Sequence, residues 1–384
     1  LNRRDFLLVS AAAIITPALK SFAKPAASAA RTTTTTATTQ PKIPDDVIWH
    51  NVRDWGIEGR AFNDTENYFD RLPARAKKTV RPAVWDLSHN TAGMSARFES
   101  DTDAIYLRYE VTNPRLAMAH MPATGVSGVD IYAQLDHAAD KTTWRWLQTH
   151  HPANPAFAGP LQTQIAPGKR LYQINLPLYN GVKALEIGVP KSAAFNPIPP
   201  RKDKPILFYG TSITQGGCAS RPGMSFVNIL GRRLDRPILN FGFSGNGRME
   251  TAVGELLAEL DPAIFVIDCI ANMTAQLIAD NTAPLVKLLR SAHAKTPILL
   301  LDERAFDNSP LLPDVAKVHH EKSDVLKKAF DSLVDGGVEN LHFRAGGDLL
   351  GIDGEATVDG SHPNDLGMMR YADALEPDLK KLLP

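Results

Sequence analysis

Cysteine is nearly missing, with only Cys218 and Cys269 in 384 residues. Two thiols cannot supply a disulfide framework or a Cys-rich zinc site, so neither carries the fold. An excess of charge is missing as well, because 42 Lys and Arg balance 42 Asp and Glu. That balance excludes a whole-protein basic footprint for nucleic acid and an acidic tail, and makes small neutral partners the expectation. No run of 18 apolar residues occurs, so the sequence offers no membrane span. What is present is ordinary: 43% hydrophobic and 22% charged residues exclude a disordered or collagen-like chain and permit a sizeable core. The length fits two domains or three.

The first residues read as an address followed by a tether. Arg3-Arg4, Phe6 and Leu7 precede a mostly apolar stretch from Val9 to Leu19 and a small-residue exit at Ser21-Phe22-Ala23. This pattern resembles a twin-arginine export signal over residues 1–23, which implies a periplasmic or secreted bacterial protein. Residues 24–45, rich in Ala, Thr and Pro, cannot bury a core and read as a flexible linker.

Two textures follow. Residues 46–200 contain short runs with partial period-two alternation at Met94–Ser100, Ala104–Thr112, Gly128–Leu135, Thr143–Thr149, Arg170–Leu176 and Ala184–Val189. Turn clusters separate them, a spacing that predicts a β-sandwich or jelly roll. The proline-rich stretch Asn196–Pro200 reads as its exit. Residues 201–384 alternate apolar strands (Pro205–Tyr209, Pro237–Phe241, Ala263–Cys269, Pro297–Leu301, Asn340–Phe343) with helical segments, the last at Asn364–Leu383. That alternation predicts a parallel α/β sheet covered on both faces, with its ligand beyond the carboxyl ends of the strands.

Reactive residue types stand at those strand ends. The first strand runs into Gly210-Thr211-Ser212-Ile213-Thr214, which presents a serine hydroxyl. Such a hydroxyl is a weak nucleophile and needs a base that is itself oriented by a third group. Asp359-Gly360-Ser361-His362 places a carboxylate three residues before an imidazole in the loop before the last helix. The second strand ends in glycine-rich Asn240–Gly247 and the third in Asp268–Met273, offering a backbone N–H and the Asn272 amide to an oxyanion.

Ser212, Gly245, Asn272 and His362, in that order, resemble the SGNH (GDSL-type) hydrolases. The segment Gly128-Val129-Asp130-Ile131-Tyr132 is similar to the Gly-x-Asp-Leu-Tyr signature of the domain preceding certain SGNH esterases. The resemblance implies a flavodoxin-like three-layer α/β domain with a jelly-roll-like companion, and ester hydrolysis without metal or organic cofactor. It implies Ser212, His362 and Asp359 as the catalytic set, with an oxyanion hole from Ser212, Gly245 and Asn272. Thr211, Asp130 and Tyr132 are candidate substrate-binding residues. Bipartite carbohydrate esterases have a similar layout, so the implied substrate is an acyl ester, above all an O-acetyl group on a glycan. The alternatives are a lipid or thioester acyl hydrolase and a silent sugar-binding protein on the same scaffold. Thr211 stands where the family motif has Asp, and Met273 rather than Asp follows Asn272. Lipase-like members are therefore a poor guide to substrate.

Other residues keep two readings. Ser244 is a rival nucleophile without a Gly-x-Ser-x-Gly elbow. His120, His150 and His151 either line a ligand surface or sit at loop and edge positions, and Asp302-Glu303-Arg304 either reaches the pocket or forms an ion-pair cluster. Trp144 and Trp146 share a strand face, for core packing or for stacking a sugar. Cys218 and Cys269 are pocket neighbours, a disulfide or packed thiols. Oligomeric state is not legible.

Overall fold

A computed structural model describes residues 42–135 and 144–384. The export signal, most of the linker and Thr143 lie outside the described residues. The first half forms nine strands: β1 (Val47–Asn51), β2 (Ser95–Ser100), β3 (Ile105–Val111), β4 (Asp130–Gln134), β5 (Trp144–Thr149), β6 (Ala156–Gln162), β7 (Arg170–Asn175), β8 (Val182–Pro190) and β9 (Phe195–Ile198). They build two antiparallel sheets of order β1-β8-β3-β6 and β5-β4-β7-β2-β9. Alternation on β3 decides its orientation: Ile105, Leu107 and Tyr109 face Phe98, Ile131 and Ile174 of the other sheet across one apolar core. The stretch expected to leave the sandwich is its edge strand β9, with Pro197 opposite Phe98. Strand β6, not anticipated from the sequence, also lies on an edge and holds Pro160. A missing N–H is tolerated at an edge, so proline obscures a strand there without preventing it.

The second half is a parallel sheet of β10 (Ile206–Gly210), β11 (Ile238–Gly242), β12 (Ile264–Asp268), β13 (Ile298–Leu301) and β14 (Leu341–Arg344), in the order β11-β10-β12-β13-β14. Every residue of β10, β11 and β12 is buried, as apolar strands covered on both faces must be. Two short helices, α1 (Pro82–Ser88) and α2 (Ala123–Val126), belong to the first half. The second half carries α3 (Ser212–Gln215), α4 (Phe226–Arg233), α5 (Thr251–Ala258), α6 (Ala275–Ala292), α7 (Pro313–Asp335) and α8 (Asp365–Leu382). Helices α4 and α8 cover one face, and α5, α6 and α7 the other. This is a three-layer, flavodoxin-like α/β domain preceded by a β-sandwich.

The change of architecture at residue 200 is not a gap in packing. Leu72, Val84 and Trp85 share a core with Leu207 and Phe241, while Met121, Val126 and Leu178 share the opposite one with Ile213 and Phe226. The described residues accordingly form one compact unit. Among the described residues, no helix is long and apolar enough to cross a membrane.

The decisive joint is Arg71. Strand β11 lies at the edge of the parallel sheet, so alternate carbonyls point away from β10 and need partners. Arg71, 1% exposed, donates from Nη1 to Asn240 O (2.9 Å) and Gly242 O (2.7 Å), and from Nη2 to Leu87 O (2.7 Å). Burial pulls its guanidinium down to about 9. Arg71→Met would keep much of the volume but leave these carbonyls unpaired. We expect a loss on the order of 3 kcal/mol, read as a lower urea midpoint at unchanged slope.

Candidate active site

The site forms where β10, β11 and β12 end, beside the loop before α8. Strand β10 stops at Gly210, and Thr211 caps α3 by accepting the Ile213 N–H (3.3 Å), which makes Ser212 the first helical residue. Three groups pin its backbone carbonyl: Gly217 N–H donates at 2.7 Å, Gly216 N–H at 3.0 Å and Tyr179 Oη at 3.2 Å. Tyr179 comes from the sandwich half, and burial pushes its hydroxyl above the ordinary tyrosine value, so it remains a donor.

Ser212 Oγ lies 2.8 Å from His362 Nε2, and His362 Nδ1 lies 2.8 Å from Asp359 Oδ2. Oδ1 of Asp359 accepts the His362 N–H (2.7 Å) and the Ser361 N–H (3.0 Å), so one carboxylate both shapes the loop and orients the ring. Partial burial alone would raise the Asp359 carboxyl. The bonds from the His362 backbone and ring, with the Ser361 N–H, prevail and hold it below the usual aspartate value. With the imidazole proton on Nδ1, donated to Asp359, Nε2 is free to accept the Ser212 proton.

Three donors lie on the segments that follow β10, β11 and β12. Gly245, in the left-handed region at φ +69°, faces open space on its Cβ side. Asn272 Oδ1 accepts the Gly247 N–H (3.3 Å), which turns the amide so that Nδ2 is available. That bond needs glycine at 247, since a Cβ there would lie 2.0 Å from Gly210 O. Among the described residues, the Ser212 N–H, the Gly245 N–H and Asn272 Nδ2 have no acceptor within the protein. The arrangement can move a proton off a serine hydroxyl and hold an oxyanion.

Three candidates have their polar groups buried and used within the fold. Thr211 is fully buried as the α3 cap. Asp130, also without exposure, is a fastener rather than a substrate ligand. Its Oδ1 accepts from Asn175 Nδ2 (2.9 Å), and its Oδ2 from Arg221 Nη1 (2.8 Å) and Gly223 N–H (3.0 Å). Tyr132, 5% exposed, takes Arg221 and Arg232 at its hydroxyl. These residues tie the sandwich to the segment after α3, and their polar atoms are used in doing so.

Several contributors carry no signature in spacing. Arg304, buried at the end of β13, donates from Nε to Ser361 O (3.1 Å) and from Nη2 to Ser361 Oγ, while its Nη1 meets Glu303, which in turn pairs with Lys322. The Asp302–Arg304 triplet is thus an ion-pair cluster that braces the histidine loop. Asp307 accepts from Thr357 Oγ1 (2.7 Å) in the same loop. The Ser244 N–H donates to Gln215 Oε1 (3.0 Å). Cys218 and Cys269 are separate buried thiols, and burial, with the Asp359 charge adding, pushes Cys218 up to about 12. Trp146 is 48% exposed, so the core is not its place, and Arg221 lies against its ring at 5.4 Å.

Residues 203–380 match the GDSL-like lipase/acylhydrolase family, and residues 47–195 match GxDLY, the N-terminus of SGNH hydro-type esterases. The chain belongs to the SGNH (GDSL-like) esterases that carry this N-terminal domain. Among solved structures it is similar to a protein taken to be a GDSL-like lipase from Bacteroides ovatus ATCC 8483, with 29% identity, TM-score 0.82 and coverage of 88% of this chain and 98% of the other. The salicylyl-acyltransferase SsfX3 of a tetracycline biosynthetic pathway shares the fold at 16% identity and TM-score 0.64, covering 90% and 96%. A family two carbohydrate esterase from Cellvibrio japonicus does so at 12% identity and TM-score 0.56, covering 88% and 98%. No curated protein matches the chain.

Beneath Ser212, Asp268 Oδ2 accepts the Thr214 hydroxyl (2.8 Å). Burial pushes this carboxyl from 3.8 to about 6, against the pull of Thr214 and Arg304. The folded state therefore holds the Asp268 proton more tightly than the unfolded chain. The stability this contributes is complete below pH 3.8 and lost as pH rises through about 6, a change of about 3 kcal/mol. Asp268→Asn keeps an acceptor for Thr214 without the ionisation. Its unfolding free energy relative to wild type should grow between pH 4 and 7, and a constant difference would refute the assignment.

Proposed function

We propose that the protein is a serine esterase that cleaves small acyl groups, above all O-acetyl groups on carbohydrate, by acyl transfer through Ser212. The observation that carries this reading is the continuous bond chain Asp359–His362–Ser212 beside three donors without partners. His362 Nε2 takes the serine proton as Oγ attacks the ester carbonyl, and Asp359 steadies the imidazolium. The carbonyl oxygen becomes an oxyanion between the Ser212 N–H, the Gly245 N–H and Asn272 Nδ2. As the C–O bond breaks, His362 returns the proton to the departing alcohol oxygen. Water, deprotonated by the same imidazole, then frees the acid and restores Ser212.

Support for a carbohydrate ester is the two-part layout shared with the carbohydrate esterase fold, together with the polar, exposed rim formed by Gly245, Asp359 and His120. The Arg3-Arg4 segment favours a setting outside the cytoplasm.

The test uses p-nitrophenyl acetate and octanoate with wild type, Ser212→Ala and Asn272→Ala, followed by acetate release from acetylated xylan. Acetate should be preferred over octanoate, and Ser212→Ala should abolish turnover. Asn272→Ala should lower kcat by roughly 10²–10³, the usual effect of removing one oxyanion donor. Activity surviving in Ser212→Ala would sink the mechanism. An octanoate preference would move the substrate to lipid esters.

A further inference from the structure

The sandwich half sends one more side chain to this site. Between β3 and α2, Met118 and Met121 bond to each other in both directions (Met118 N–H to Met121 O, 3.0 Å; Met121 N–H to Met118 O, 3.2 Å). The chain therefore turns tightly through Ala119 and His120. Met121 is 2% exposed and belongs to the core that also holds Ile213, one residue beyond Ser212. On the other flank, Thr124 Oγ1 donates to Ser220 O (2.6 Å), and Gly125 comes so close to Ala219 that a Cβ would lie 2.3 Å from its carbonyl oxygen. Ser220 in turn donates its N–H to Asp365 Oδ1 (2.8 Å), three residues after His362. The turn is thus held in register with both the serine and the histidine loops.

At its tip His120 is exposed, and its ring centre lies 6.1 Å from that of His362 with the planes inclined at 43°. Nothing in the fold requires an imidazole there: the turn is held by Met118, Met121 and Thr124, and the core by Met121. The direction of the reaction gives the position its meaning. The acyl carbonyl must point at the Ser212 and Gly245 N–H groups and Asn272, whereas the departing oxygen must come within reach of His362 Nε2 to collect its proton. The alcohol portion of the ester is then the part that passes over His362, toward His120.

We propose that His120 is a specificity-determining residue that binds the alcohol side of the ester, selecting a hydroxyl-rich leaving group such as a sugar. An imidazole suits that task, because it offers a donor, an acceptor and a flat face to a ring bearing hydroxyls. The inference rests on the esterase reading above and refines it, since it says which partner half reads the alcohol. It also sets an asymmetry. His120 acts on formation of the acyl-enzyme, while the alcohol is present, and loses its ligand once the alcohol has left.

The experiment compares p-nitrophenyl acetate with an acetylated glucose for wild type, His120→Ala, His120→Phe and His120→Gln, measuring kcat/KM and, by rapid mixing, hydrolysis of the acetyl-enzyme. His120→Ala should lower the ratio of sugar-ester to phenyl-ester kcat/KM roughly tenfold, the size of one hydrogen bond lost in a transition state. His120→Gln, which keeps a donor and an acceptor, should recover most of that ratio, and His120→Phe should not. Equal losses on both esters, a slowed acetyl-enzyme hydrolysis of the same size, or an unaltered ratio would each overturn the role of His120 while leaving the esterase reading intact. Wild type silent on both esters would overturn that reading, and this one with it.

Discussion

An exposed sheet edge has to be closed, and in this protein a single guanidinium closes it. Arg71 comes from the sandwich half and satisfies carbonyls on β11 and at the end of α1. Once β11 is held, the glycine-rich segment after it has a fixed start, and the Gly247 N–H can reach Asn272. Asp130 repeats the arrangement on the other flank, where a carboxylate without exposure holds Arg221 and the Gly223 N–H after the serine helix. Charges from the sandwich half thus hold both β11 and the segment after α3.

This division of labour explains what kind of residue stands where. The groups that can exchange protons lie at strand ends and in one loop, close to solvent: Asp359 is 43% exposed at its side chain and His362 28%. The groups that position them are deeper and already committed. Arg304 spends its donors on Ser361 and Glu303, and Tyr179 gives its hydroxyl to the Ser212 carbonyl. A partly hydrated pair keeps its proton mobile, whereas the buried frame keeps its geometry.

Local chemistry made the first group legible and hid the second. Ser212, Gly245, Asn272, Asp359 and His362 sit in short blocks whose neighbours are also diagnostic, and parallel strands bring such blocks to one edge whatever the intervening length. Arg71, Tyr179, Arg221 and Arg304 have no such neighbours. Each acts across more than thirty residues of sequence, so only the folded chain shows its partner. Asp130 and Tyr132 were conspicuous as a motif, yet conspicuousness did not distinguish a fastener from a ligand. The strands were readable where a buried face alternates with an open one, as on β3, and obscured on β6 and β9, where proline interrupts an edge.

The shared cores have a consequence for how the chain is made. Leu72, Val84 and Trp85 leave the ribosome before Leu207 and Phe241, against which they end up packed. Trp85 and Leu207 are separated by about 120 residues, so at roughly 5–20 residues per second that apolar surface waits on the order of ten seconds for its cover. A sandwich that could finish folding alone would hide it in that interval; this one cannot, because its cover has yet to be synthesised. On the nascent chain Leu72, Val84 and Trp85 therefore present an apolar patch until Leu207 and Phe241 have emerged.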